Sequence, residues 1–185
     1  GYALFNQKKY VEAAEYFSKY IQTQPAASRL ADANLRLGDS YFAAGKYWPA
    51  MEAYDKVITA NVSNTDYAAF QKAISYGIVD RVPKKIEALN AFITHYPKSN
   101  LREDAIYELA NTYVGQGKME KASELYEMLQ SQYQEGTYTA RAMLREGLML
   151  YNKNENQKAL AIFKKITQIY PSSPEAMQAV SSAKN

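Results

Sequence analysis

The 185-residue chain contains no cysteine, which excludes disulfides, thiol chemistry and cysteine-based zinc sites within it. That absence fits any redox compartment. Histidine occurs once, as His95, and tryptophan once. No apolar run approaches the roughly 18 residues that a membrane-spanning helix requires, so this segment is not expected to insert into a bilayer. The net charge is only +3, whereas a surface that tracks phosphates carries a much stronger basic excess. Nucleic acid is therefore not the expected partner.

What the chain does contain is a folding-competent apolar fraction of 47%, a charged fraction of 22% and 17 tyrosines against 6 phenylalanines. Such a composition excludes a mainly disordered chain. A tyrosine can bury its ring while its hydroxyl reaches water or a partner. Many tyrosines suit helices packed on one side and open on the other.

The clearest local pattern runs from Leu37 to Tyr54. Leu37, Gly38 and Tyr41 share one helical face, a turn follows around Gly45, and Ala50, Tyr54 and Val57 recur at helical spacing. Gly38 opposite Ala50 and Tyr54 predicts a close approach of two antiparallel helices. The same signature recurs: Gly1 with Ala13 and Phe17, Ala73 with Leu89, Ala110 with Ala122 and Tyr126, Gly147 with Ala159 and Phe163. The anchors at 1, 38, 73, 110 and 147 differ by 37, 35, 37 and 37. A period this regular predicts a stack of helix pairs, each packed mainly on its neighbours. The third repeat is the degenerate one, with Asp80-Arg81-Val82-Pro83 in place of the glycine turn. In the fifth, Asn154 takes the turn position, where it can adopt the left-handed conformation.

The expected organisation is one array over residues 1–185. Its approximate repeats are 1–27 (truncated), 31–64, 66–99, 103–136 and 140–173, with 174–185 a capping or partial helix. Gly1 falls where Gly38 falls, inside a first helix, so the chain is read as a piece of a longer protein. Any signal peptide or lipid anchor would lie upstream.

Leu-Gly-x-x-Tyr followed by Ala-x-x-x-Phe/Tyr resembles the tetratricopeptide repeat, a helix–turn–helix unit of about 34 residues. The resemblance implies an all-α, right-handed solenoid of antiparallel helix pairs. The surplus of about three residues per repeat lies between pairs, as in Tyr96-Pro97-Lys98-Ser99 and Tyr170-Pro171-Ser172-Ser173. There proline stops one helix and serine can cap the next. This linker resembles that of bacterial cell-envelope tetratricopeptide proteins, of the β-barrel-assembly lipoprotein and Tol–Pal coordinator type. It implies a periplasmic or outer-membrane-associated location, with a cytoplasmic one as the alternative.

No catalytic, cofactor or metal site is indicated. A lone His95 near a helix end is expected to be a surface or half-packed side chain, and there is no nucleophile–histidine–carboxylate arrangement or glycine-rich phosphate loop. The family resemblance instead implies a concave groove lined by the first helix of each pair, which takes a protein or peptide segment. The partner-binding residues it implies are Phe42, Tyr67, Phe70, Tyr107, Asn111, Leu144 and Tyr151. Only Asn111 matches the pattern by which some members grip a terminal carboxylate, so such a clamp is not expected. Rigid aromatics are the usual anchors of protein–protein contacts. The expected function is a non-catalytic scaffold or adaptor in an envelope complex. Two alternatives remain: a glycan-binding module centred on Tyr107, Asn111, Asp104 and Arg141, and self-association through the truncated end.

Overall fold

The computed structural model describes residues 1–184. Among them eleven helices form, with no strand. In order they are α1 (Tyr2–Asn6), α2 (Tyr10–Gln22), α3 (Ala27–Ala43), α4 (Tyr47–Ala60), α5 (Thr65–Ile78) and α6 (Val82–His95). Then come α7 (Arg102–Gly115), α8 (Met119–Gln132), α9 (Thr139–Asn152), α10 (Asn156–Ile169) and α11 (Pro174–Ser182). The chain divides into two compact units, Gly1–Leu101 with α1–α6, and Arg102 onward with α7–α11. The division falls in the linker that carries Pro97.

Each helix pair closes with the same turn. Lys8, Gly45, Asp80, Gly117 and Asn154 all take positive φ, at 60°, 74°, 58°, 71° and 62°. The following amide donates to the carbonyl five residues back: Lys9 to Leu4, Lys46 to Tyr41, Arg81 to Tyr76, Lys118 to Tyr113 and Glu155 to Leu150, all at 2.8–2.9 Å. This is the Schellman arrangement, in which one left-handed residue lets the last carbonyls of a helix find donors. Only two of the five positions are glycine, so the turn is dictated by the packing of the pair as well as by backbone preference.

Within each pair a small residue meets a large one. A Cβ added to Gly38 would stand 2.6 Å from the Tyr54 ring, one on Gly147 2.5 Å from the Phe163 ring, and one on Gly1 2.6 Å from the Phe17 ring. Ala73 with Leu89 and Ala110 with Tyr126 hold the same places, all four fully buried. The Gly38–Tyr54 contact expected from the sequence is thus present and is repeated in register. Neighbouring pairs share cores: Phe17 and Ala14 of α2 cluster with Leu37 of α3 and Ala53 of α4. In the second unit Met143, Phe163, Ile166, Ala176 and Ala179 join α9, α10 and α11.

The linkers differ in detail from expectation. Helix α3 begins at Ala27 rather than near Ala31, because Pro25 ends the preceding path and Ala26 (φ −55°, ψ 151°) turns directly into good helix formers. Ser173 caps α11 by accepting from the Ala176 amide at 3.0 Å, beside Pro174 at the first turn. The Ser99 hydroxyl, just before α7, accepts from the Leu101 amide at 3.1 Å and donates to Asp66 at the start of α5.

Candidate functional site

In the first unit the first helices α1, α3 and α5 carry a row of polar contacts. Asp39, only 9% exposed, follows Gly38 and so faces α4 where the close approach admits the Tyr54 ring. The Tyr54 hydroxyl donates to Asp39 Oδ1 at 2.9 Å, and the Tyr67 hydroxyl of α5 donates to the same oxygen at 3.0 Å. Arg36 Nη1 lies 3.5 Å from Asp39 Oδ2, and Gln71 Nε2 donates to the Tyr67 hydroxyl at 3.3 Å. One repeat earlier, Tyr2 donates to Asp32, and the Arg36 guanidinium sits 5.6 Å from the Tyr2 ring centroid. Burial pushes the Asp39 carboxyl above its ordinary value, although the two tyrosine hydroxyls and Arg36 pull the other way. Burial, and then the Asp39 charge, push Tyr67 up to about 12 and Tyr54 higher still.

The predicted residues of this unit divide. Phe42 is half-buried, edge-on to Tyr47 at 5.3 Å, and packs with Tyr67 on the Leu35–Tyr54–Val57 core. Phe70 is turned to α6, edge-on to Phe92 at 5.9 Å. Tyr67 spends its hydroxyl on Asp39.

In the second unit Tyr107 of α7 is 9% exposed and lies flat on Tyr138, at 4.6 Å and 14°, with the Arg145 guanidinium 5.8 Å from its centroid. Asn111 Oδ1 accepts from the Tyr126 hydroxyl at 2.7 Å. Leu144 is buried in the α9–α10–α11 core. Tyr151 is 39% exposed and borders a small cleft with Asn156, Leu160, Phe163 and Ser182. The structure therefore joins Tyr107 to Tyr138 and Asn111 to Tyr126, and places Leu144 and Tyr151 elsewhere.

Glu146 is the second buried carboxylate. It accepts from Gln130 Nε2 at 2.7 Å and Ser123 Oγ at 3.4 Å, and burial pushes its pKa up. The glycan quartet does not converge on one free spot. Asp104 accepts from the Tyr138 hydroxyl at 2.8 Å, Asn111 holds Tyr126, and Arg141 Nε lies 3.6 Å from Glu175 Oε1. His95 Nδ1 lies 2.8 Å from the Ala91 carbonyl oxygen on the exposed last turn of α6.

Two features escaped the sequence reading. Tyr138 occupies a linker without proline and gave no helical signal. The Asp39–Tyr54 and Asn111–Tyr126 couples had one. Where the second-helix anchor is Tyr54 or Tyr126, the residue after the small one is Asp39 or Asn111. Where it is Phe17, Leu89 or Phe163, that residue is Tyr2, Ile74 or Leu148. A buried phenol requires an acceptor, and a hydrocarbon does not.

With these contacts assigned, large apolar side chains stay open in the last turns of α5 and α9. Ile78 is 48% exposed and Tyr151 39%. The counterparts of Tyr151 in α3 and α7, Phe42 and Val114, are half-buried. No helix among the described residues is long and apolar enough to cross a membrane.

Comparison with known proteins agrees with this architecture. Residues 107–174 and 32–61 each match the tetratricopeptide repeat family, together more than half of the chain. Over 78 residues the chain is 35% identical to the outer membrane protein assembly factor BamD of Rickettsia prowazekii (strain Madrid E). That match covers 41% of this chain and 31% of BamD, so the chain spans less than a third of that relative's length. Among solved structures, MamA is similar with a TM-score of 0.71 at 22% identity, over 90% of this chain and 92% of that one. YrrB, described as a TPR protein with an unusual peptide-binding site, is similar with a TM-score of 0.66 at 17% identity, over 97% and 87%. These structural likenesses bear on the fold. With the recurring small-on-large helix pairs and the two family matches, they show that the chain belongs to the tetratricopeptide repeat family, as an all-α solenoid.

Proposed function

We propose that this chain is a non-catalytic scaffold that holds a protein or peptide segment on its first-helix faces. Of the residues assigned to that face, Phe42, Tyr67, Tyr107, Asn111 and Tyr151 belong to it, while Phe70 packs on Phe92 and Leu144 lies in the core beneath. Direct contact falls to Phe42, Ile78 and Tyr151, while the others fix the surface beneath. The observation that carries this reading is the exposure of Ile78 and Tyr151 in the last turns, where the polar groups nearer the helix starts are already paired. Partly exposed apolar side chains on a rigid support are what an interface needs at its centre.

The likeness to BamD and the Tyr-Pro-x-Ser linkers support a place in a bacterial envelope complex, periplasmic or associated with the outer membrane. A photoreactive residue placed at Phe42 or Tyr151 in the living cell tests the binding face. Cross-links to a second protein are expected at both positions and not at Glu124, which is exposed on α8. Cross-links at Glu124 alone would move the interface to the second helices.

A further inference from the structure

Four residues before Gly38, Ala73, Ala110 and Gly147, on the same face of each first helix, stand Asn34, Ala69, Ile106 and Met143. In the second unit a large apolar side chain fills the place, and both Ile106 and Met143 are fully buried. In the first unit the place is not filled. Beside Ala69 an open cavity of about 370 Å³ lies among α4, α5 and α6. Beside Asn34 a cavity of about 320 Å³ lies among α2, α3 and α4, with Ile21, Leu30, Ala31 and Ala60 in its apolar lining.

The two cavities differ in what their polar groups still lack. Around the first, Lys72 is paired with Asp55 at 2.5 Å and Lys84 with Glu87 at 3.1 Å. Around the second, Asn34 is 4% exposed and its Nδ2 donates to the Leu30 carbonyl at 3.0 Å. Asn34 Oδ1 accepts from no donor among the described residues. Folded proteins rarely bury an amide oxygen in this state, because its desolvation goes uncompensated. A single water would satisfy it poorly. A buried water needs roughly two to four polar partners, and the other polar side chain of the lining, Lys56, is exposed at the rim.

We infer that the α2–α3–α4 cavity is a binding site for a small neutral ring compound that carries one N–H or O–H donor, of the indole or phenol class. The ring takes the place that Ile106 and Met143 fill in the second unit, against Ile21, Leu30 and Ala31, and its donor meets Asn34 Oδ1. Pockets for such ligands begin at about 300 Å³ and are mostly apolar with a few placed polar groups, as this one is. An anion would face an acceptor at Asn34, and a cation would find no carboxylate in the lining. The site is independent of the partner proposed for the first-helix faces.

Calorimetric titration of the whole chain with indole, and with 1-methylindole, which has the ring without the donor, tests this. Indole is expected to bind one-to-one and 1-methylindole at least about tenfold more weakly, a difference of the size of one buried hydrogen bond. Asn34→Ala keeps the cavity and removes the acceptor, so it should bind the two rings about equally. Asn34→Ile copies Ile106 and fills the cavity, so it should bind neither ring while melting no lower than wild type. N-acetyltryptophanamide carries the indole between two peptide groups and separates a free molecule from a partner's side chain; it is expected to bind more weakly than indole. No saturable binding of indole by wild type would overturn the inference, as would equal affinity for the two rings. So would a preference for indole that survives in Asn34→Ala, or binding retained by Asn34→Ile. Tighter binding of N-acetyltryptophanamide than of indole would overturn the assignment to a free molecule.

Discussion

The Tyr54 hydroxyl and the Tyr67 hydroxyl both donate to Asp39 Oδ1, at 2.9 and 3.0 Å, so one carboxylate oxygen ties a second helix to the first helices of two successive repeats. Asn111 does the first half of this for Tyr126 at 2.7 Å. The couple explains why tyrosine is tolerated at an anchor position that the other repeats fill with Phe17, Leu89 or Phe163.

Tyr54→Phe should therefore cost about 1–2 kcal/mol, since it leaves a largely buried carboxylate short of one donor. Tyr54→Phe combined with Asp39→Leu copies the Phe163–Leu148 pair of the fifth repeat and should recover part of the loss. Chemical denaturation of the two single variants and the double one checks this. Strictly additive losses would show that the two side chains are not coupled.

The pH dependence follows from the two buried carboxylates. Asp39 and Glu146 both have raised pKa values in the fold, chiefly through burial. A carboxyl whose folded pKa is raised binds its proton more readily folded than unfolded. Its contribution is fully present below the unfolded value, roughly 3.9 for Asp and 4.3 for Glu, and is lost as pH rises through the raised folded value. Relative to wild type, the Asp39→Asn/Glu146→Gln variant should thus gain stability as pH rises through that window. Melting curves of both proteins across that range provide the comparison, and parallel curves would contradict it.

Gly38→Leu should cost at least about 1–3 kcal/mol by overpacking, because even a Cβ there would meet the Tyr54 ring at 2.6 Å. An unchanged melting temperature would break the register on which all five pairs are aligned.

Asp80→Gly should be neutral to stabilising, by up to about 1 kcal/mol. Asp80 holds φ 58° in the turn that Gly45 and Gly117 fill elsewhere, and a side chain there carries a steric cost that glycine avoids. Thermal unfolding decides it, and a clear loss would mean that the Asp80 side chain has a stabilising role of its own.

The periodic part of this fold was legible in the sequence. The small residues at 38, 73, 110 and 147 and their large partners are covalent facts that sterics turn into close helix pairs, and Asn154 could be placed in its turn by chemistry alone. The less regular part was not. Pro25 marks where α2 must have ended, but nothing local says that Ala27 rather than Ala31 starts α3. Leu144 and Tyr107 were assigned to the groove by repeat position. Their burial depends on which side chains the neighbouring helices bring, Tyr138 in one case and the α11 core in the other. The division after Leu101 is likewise a matter of tertiary contact, with no composition shift to announce it.

The central claim is that a partner is held by the open last-turn side chains of the first helices. The most direct measurement is capture of the cross-linked partner, once identified, by wild type and by a Phe42→Ala/Tyr151→Ala variant in matched amounts and with the melting temperature of each recorded. The account predicts at least a tenfold loss of affinity for a variant still folded at the assay temperature, roughly 1.4 kcal/mol. Affinity retained within twofold would contradict it and place the binding surface elsewhere on the repeats.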